Sequence, residues 1–139
     1  MAAGSRTLLT DLPKGHEFPV TTFTLSRDHV ARYLDAVEDT NSVYLDRGLA
    51  PPLAVAALAL GSLLEVIELP AGTLHTGQEV EARGGVPLDA VLSLAGRIAQ
   101  RSERAGMVIS VIEFDVTPER AAAPALSGRS TVLVAGAAS

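Results

Sequence analysis

An uncharged apolar stretch, residues 48–64, constrains the fold of this chain more than any other feature. It reads GLAPPLAVAALALGSLL, and the apolar pattern ends at Pro70. Pro51 and Pro52 open it, and proline is accepted in the first helical turn because its missing N–H has no intrahelical partner there. The Leu, Ala and Val residues that follow are mostly good helix formers. Since a helix that is apolar on every side is a buried one, we predict a central helix enclosed by the rest of the domain.

A membrane-associated or dimer-forming hairpin is the alternative interpretation of this stretch. A transmembrane helix needs about 20 apolar residues. The run is shorter than that, with Gly61 and Ser62 inside it and Glu65 directly after it. Residues 1–10 lack the pattern of a signal peptide. We therefore expect no membrane association and a cytoplasmic protein.

Length predicts one domain over residues 1–139, with residues 1–15 as a possible N-terminal arm, and the combination of predicted helices and strands gives the class α+β. The net charge of −5, without a Lys/Arg cluster, argues against a nucleic-acid partner because phosphate contacts need cations. The chain has no cysteine, which excludes disulfides and thiolate catalysis. Its three histidines are scattered without metal-ligand spacing, so no metal site is expected.

The remaining pattern predicts strands around the central helix. Ser26 is a predicted N-cap for a helix that ends near Glu38, because apolar residues follow it at helical spacing. Alternating apolar and polar residues predict strands, with Gly77 as a possible bulge in the second of them. These strands cover residues 16–25, 73–83, 88–101, 107–117 and 129–135. A sheet that buries such a helix has to curl around it, and this order of elements is that of the hot-dog fold.

The segment Asp39-Thr40-Asn41-Ser42-Val43-Tyr44 resembles the Asp-x-Asn-Pro-x-His motif of the MaoC-like hot-dog hydratases and dehydratases. The resemblance is to (R)-specific enoyl-CoA hydratases and to N-terminal-type domains of the family. It continues through Ala50-Pro51-Pro52 and the strand from Leu74 to Val80, and covers roughly residues 18–135. It implies a hot-dog fold, in which a curved antiparallel sheet wraps around a long central helix.

The resemblance also implies catalytic residues. In the family an Asp and a His hold one water, which adds to or leaves from the double bond of a 2-enoyl thioester. Asp39 takes the carboxylate position, Asn41 the position that orients the loop, and Tyr44 the position of the His. A phenol, with a pKa of about 10, is a poor base near pH 7 but can donate a proton or anchor water. The plain alternatives are turn residues for Asp39 and Asn41, and a ring packed on the central helix for Tyr44.

Four substrate-binding residues are implied in the same way. Pro52 and Leu53 stand at the start of the central helix, where the family polarises the thioester carbonyl with a donor and the helix dipole. Proline in place of the family glycine removes one backbone donor. His75 and Gly77 lie on the strand that follows the helix, where a histidine with a structural role is the alternative.

Three functions are consistent with these residues. The first is a hydro-lyase that acts on an acyl-CoA or acyl-carrier-protein thioester without a cofactor. The second is a non-catalytic hot-dog subunit that shapes the acyl tunnel for a catalytic partner, and the third is a hot-dog acyl-CoA thioesterase. Pairing with another hot-dog chain, as a homodimer or a heterodimer, is expected in each case because a single wrap leaves strands uncovered. Arg97, Arg101 and Arg104 are either contacts for a CoA phosphate or solvated surface.

Overall fold

The computed structural model describes residues 6–37 and 43–135. These residues form three α-helices and seven strands, with a short 3₁₀ turn at Leu9–Asp11. In chain order the elements are β1 (Thr7–Leu8), β2 (Thr21–Thr24), α1 (Arg27–Ala36), α2 (Val43–Asp46), α3 (Pro52–Leu64), β3 (Ile67–Glu68), β4 (Leu74–Ala82), β5 (Val91–Arg104), β6 (Met107–Pro118) and β7 (Leu126–Ala135).

Five strands form one antiparallel sheet in the order β2-β5-β6-β7-β4. A tight turn at Ala105 and Gly106 joins β5 to β6, and both residues have positive φ angles of 52° and 78°. Positive φ at both central residues suits a two-residue hairpin because it matches the twist of the strands. Successive strand side chains point to opposite faces. We call the face that carries α3 the inner face. Its buried side chains are apolar except for those of Ser110 and Ser130.

Helix α3 packs closely on this inner face because two strand residues lack a side chain. Gly96, Phe114 and Gly128 are cross-strand partners on β5, β6 and β7. A Cβ on Gly96 would lie 2.8 Å from a methyl group of Leu63 on α3, and a Cβ on Gly128 would overlap the ring of Phe114. Glycine at these two positions lets the helix and the ring approach the strands.

One side of α3 is buried, and the opposite side is not. Ala54, Val55, Ala56, Ala59 and Leu63 are the buried residues of the helix. We call the other side the open stripe; it consists of Leu53, Ala57 and Gly61, and Leu53 is 60% exposed. The expectation of a helix buried on every side therefore differs from the described chain, because a single sheet covers only one side of the helix.

The described part of the possible arm, residues 6–15, contains two buried side chains, Leu9 and Leu12. β1 pairs in parallel with β3, just beyond the central helix. The side chain of Arg101 donates to the carbonyl of Thr10 at 2.8 Å. No helix within residues 6–37 and 43–135 combines the length and apolar character needed to cross a membrane.

Most local predictions are confirmed. Ser26 caps α1, and its Oγ accepts from the N–H of His29 at 3.1 Å. A register shift lies between His75 and Gly77, at the predicted bulge. The predicted strand over residues 16–25 is shorter, since only Thr21–Thr24 form β2.

Candidate functional site

Backbone hydrogen bonds fix the chain that leads into α3. The N–H of Leu49 donates to the carbonyl of Tyr44 at 2.8 Å, so the chain turns directly after α2. The N–H of Ala50 donates to Val86 at 2.8 Å, and Gly48 accepts from Leu88 at 2.9 Å. The link between Tyr44 and the start of α3 is therefore held against the loop before β5.

Helix α2 carries Tyr44 and is tied to α1. The guanidinium of Arg27 donates to the carbonyl of Leu45 at 2.7 Å, and the side chain of Tyr44 is half-buried. Asp39 and Asn41 lie outside the described residues. Their predicted roles in catalysis and in loop orientation therefore remain predictions, as does the role of Tyr44.

The start of α3 is poor in backbone donors. Pro51 is the N-cap and Pro52 the first helical residue, and neither has an N–H. The N–H groups of Ala54 and Val55 donate to the carbonyl of Pro51 at 3.0 and 3.2 Å. The N–H of Leu53 is therefore the first one on the helix, at the end where the helix dipole is positive. A carbonyl oxygen placed there would meet that single donor and the dipole.

A cavity lies near the other end of α3. We call it the distal cavity; its volume is about 120 Å³ and it lies between α3 and the inner face of the sheet. His75 on β4 lines it, together with apolar side chains and two hydroxyl residues, Thr73 and Ser130. Gly77 lies on the outer face of β4, because its missing Cβ would point toward the side chain of Thr131, which alternates with the cavity residue Val132.

The residues predicted for substrate binding therefore occupy separate places. Pro52 and Leu53 mark the start of α3, while His75 lines the distal cavity. Between these points α3 advances by about 12 Å over eight residues, at about 1.5 Å per residue. An extended acyl chain beside the helix would join the two places.

Sequence reasoning missed a cavity of about 210 Å³ between α1 and α3. His29 and Tyr33, one turn apart on α1, line it opposite Ala54, Ala57 and Leu58 of α3. His29 is exposed to solvent and also contacts this cavity. The i, i+4 spacing of the two residues is the sequence signal that places them on one helix face.

A groove of about 510 Å³ lies on the outer face of the sheet. Its three arginines form ion pairs with carboxylates of the groove. Arg97 contacts Glu113 at 3.2 Å and Asp115 at 3.0 Å, and Glu113 also contacts Arg129 at 3.6 Å. These carboxylates raise the pKa of Arg97 through hydrogen bonding with Asp115 and the charges of both partners, which together outweigh burial. The groove is therefore an ion-pair network, in which Arg97 already has protein partners.

In this network the carboxylate of Asp115 accepts hydrogen bonds from two side chains. Ser127 donates to one carboxylate oxygen at 2.6 Å, and Arg97 donates to the other at 3.0 Å. Burial by itself raises the pKa of Asp115, but the hydrogen bonds from Ser127 and Arg97 and the charges of nearby arginines outweigh it and lower that pKa below its usual value. The ionised carboxylate is the form that the folded chain favours.

Comparison with known proteins identifies the family. A family model described as "FAS1-like, dehydratase domain region" matches residues 13–120, well over half of the chain. A search of curated protein sequences finds no match.

Several solved structures share the fold. The (R)-hydratase from A. caviae involved in PHA biosynthesis has a TM-score of 0.71 at 18% identity, covering 88% of this chain and 97% of its own. A MaoC-like dehydratase from Rhodospirillum rubrum has a TM-score of 0.72 at 14% identity, covering 93% and 97%. The C-terminally truncated HadBC (3R-hydroxyacyl-ACP dehydratase) complex from Mycobacterium tuberculosis has a TM-score of 0.70 at 20% identity, covering 90% and 99%. These likenesses confirm the hot-dog fold.

Proposed function

Since the chain belongs to the FAS1-like dehydratase domain region family, we propose that it acts on acyl thioesters, by hydration of a 2-enoyl thioester or by dehydration of a 3-hydroxyacyl thioester. The match over residues 13–120 carries this proposal, because that range includes the Asp39-to-Tyr44 segment, the start of α3 and most of the sheet. The thioester carbonyl lies at the start of α3, and the acyl chain runs along the helix toward the distal cavity.

The proposed chemistry uses a water held between Asp39 and Tyr44. In hydration the oxygen of this water bonds to the β-carbon and one of its protons passes to Asp39. Asp39 then delivers that proton to the α-carbon, so that the H and OH of one water add across the double bond and the carboxylate is restored. The N–H of Leu53 and the positive end of α3 stabilise the negative charge that develops on the thioester oxygen. Asn41 orients the loop. Dehydration follows the same steps in reverse.

Tyr44 supports a second candidate function, that of a non-catalytic hot-dog subunit. An imidazole titrates near neutral pH and suits acid–base work, whereas a phenol does not. The chain has tyrosine where the motif of the resembled hydratases has histidine. In this candidate the chain shapes the acyl tunnel, and a partner supplies the Asp and His.

We propose that a second hot-dog chain covers the open stripe of α3 and the outer edge of β4. The edge strand β4 is exposed along nearly its whole length, and Leu74 at its start is 55% exposed. An exposed edge strand is a ready site for pairing with another chain. The similar mycobacterial structure is itself a complex, and both a homodimer and a heterodimer fit this surface.

A hydration assay tests these proposals. The purified chain is mixed with crotonyl-CoA and with longer 2-enoyl-CoAs, and loss of the enoyl absorbance is followed. The enzyme proposal predicts activity that Asp39→Asn lowers by at least about a hundredfold, since acid–base groups contribute about 10²–10⁴. Tyr44→His, which restores the imidazole, raises the rate near neutral pH.

Other outcomes of the hydration assay support the other candidate functions or contradict the proposed site. Activity that develops only when a second hot-dog chain with a complete Asp-x-Asn-Pro-x-His motif is added supports the subunit function. Release of CoA without hydration supports a thioesterase. An active wild-type chain whose rate is unchanged by Asp39→Asn contradicts the proposed catalytic site.

A further inference from the structure

The distal cavity has a mainly apolar wall. Leu60 and Leu64 of α3 form one side, and Ile112 and Val132 of the sheet form the other. Such a wall suits a hydrocarbon chain, because burial of apolar surface is favourable and needs no hydrogen-bond partners.

Three residues of this wall are polar, namely Thr73, His75 and Ser130. The hydroxyl of Thr73 donates to the carbonyl of Pro70 at 2.6 Å, and His75 is exposed to solvent. Ser130 is 0% exposed, and its Oγ has no hydrogen-bond partner among the described residues. The same residue lines the distal cavity. Buried hydroxyl groups in folded proteins are nearly always hydrogen-bonded, because removing one from water without a partner is costly. The unmatched hydroxyl beside open space therefore points to a partner inside the cavity.

The position of Ser130 in β7 makes it stand out. The other inward residues of this strand are apolar or glycine, and they are Leu126, Gly128, Val132 and Val134. A valine at position 130 would continue this row and would suit a plain hydrocarbon chain. A hydroxyl at this point instead lowers the affinity of the wall for hydrocarbon and adds one donor and acceptor.

Ser110 is a second buried serine that can be compared with Ser130. It is also fully buried with an unpartnered Oγ, and it lies on the neighbouring strand β6. Its cross-strand partner is Val132, while that of Ser130 is Ile112, so the two serines are diagonal neighbours on the inner face. Only Ser130 of these two lines the distal cavity.

From these observations we propose that the acyl chain bound by this protein carries an oxygen atom, as a hydroxyl or keto group, in its distal part, and that Ser130 recognises it. This inference rests on the proposed function. The distal cavity begins about 12 Å along α3 from Pro52, at about 1.5 Å per residue. The oxygen is therefore well separated from the thioester. A serine hydroxyl donates to a keto oxygen and both donates to and accepts from a hydroxyl, so the two substituents share one recognition chemistry.

Calorimetric binding of saturated acyl-CoAs tests this inference, because a saturated chain cannot be hydrated and binding is read without turnover. The ligands are a plain long-chain acyl-CoA and chains of equal length with a hydroxyl or keto group at successive distal carbons. The wild-type chain is expected to bind at least one oxygenated chain about fivefold to tenfold more tightly than the plain chain, the effect of one net hydrogen bond. Ser130→Ala removes the preference, and the matched variant Ser110→Ala keeps it.

Two results overturn the inference while the proposed function stands. One is a wild-type chain that binds the plain acyl-CoA as tightly as every oxygenated chain in the series. The other is a preference for oxygenated chains that survives Ser130→Ala. If the wild-type chain binds no acyl-CoA of either kind, the proposed function fails together with this inference. The hydroxyl and keto series separate the two substituents.

Discussion

At the scale of single residues, Asp115 shows how this chain stabilises a half-buried charge. Ser127 and Arg97 each donate a hydrogen bond to it, and its pKa is lowered although burial alone would raise it. Hydrogen bonds to a charged group contribute about 1.5–3 kcal/mol to stability, and less when solvent reaches the pair.

We therefore expect Asp115→Asn to lower the free energy of unfolding by about 1 kcal/mol at pH 7. The folded-state pKa lies below the unfolded value of about 4. The stabilisation is thus complete above that value and is lost as pH falls through the folded pKa. Thermal unfolding of both chains between pH 7 and pH 3 measures the difference. The exposed Glu119→Gln variant is the control, and a deficit for Asp115→Asn that stays constant down to pH 3 would contradict this account.

At the scale of elements, the contact between sheet and helix depends on the row formed by Gly96, Phe114 and Gly128. Phe114 is fully buried, and two of its ring carbons lie 2.6 Å from the position of a Cβ on Gly128. A methyl group there would force the ring off the strand and toward other core side chains, and such overpacking is destabilising.

Gly128→Ala is accordingly expected to reduce the free energy of unfolding by about 1–3 kcal/mol. Urea denaturation followed by circular dichroism gives the value. Gly84→Ala is the matched control, since a Cβ there has nothing within 4 Å and its φ is not positive. Equal effects of the two substitutions would show that the close approach of Phe114 does not limit packing.

The sequence predicted elements well where a local pattern decides them. Ser26 and the helical spacing after it predicted α1, and alternation predicted the strands β5 and β6. The predicted ends of β2 and β7 were less accurate, because the end of a strand depends on pairing with residues that are distant in sequence. The position of β4 at the sheet edge was not predicted either, because strand propensity does not contain the order in which strands pair.

At the scale of the whole molecule, the described chain has two exposed surfaces, one on α3 and one on β4. The open stripe of the helix consists of apolar residues and glycine, and the outer edge of β4 pairs with no other strand of the described chain. Exposed apolar surface combined with an unpaired strand edge is typical of an interface between chains.

We expect the purified chain to have twice the mass of a single 14.4 kDa chain in light scattering after gel filtration. Ala57→Glu places a charge in the open stripe and is expected to shift the mass to that of one chain, because an unpaired charge at an interface is costly. Ala36→Glu, at another exposed helical alanine, is the control. A wild-type chain that elutes as a monomer would contradict the homodimer and leave the heterodimer as the remaining form of the pairing.

The candidate site was only partly open to sequence reasoning. The resemblance marked Asp39, Asn41 and Tyr44 because they are close together in the chain. The distal cavity could not be found in this way, since Leu60, His75 and Ser130 come from three elements that only the fold brings together. The orphan hydroxyl of Ser130 was equally hidden, because alternation places a residue on one face of a strand but does not show whether its hydroxyl has a hydrogen-bond partner.

The most direct test of the proposed acyl slot beside α3 is the affinity for saturated acyl-CoAs of short and long chain in two matched variants. Leu60 lines the distal cavity, and Leu58, also half-buried on α3, lines the cavity toward α1. Leu60→Phe fills the distal cavity and is expected to weaken binding of the long chain by about tenfold or more, with the short chain unaffected, whereas Leu58→Phe changes neither. Unchanged long-chain binding in Leu60→Phe, or a selective loss in Leu58→Phe, would contradict the account.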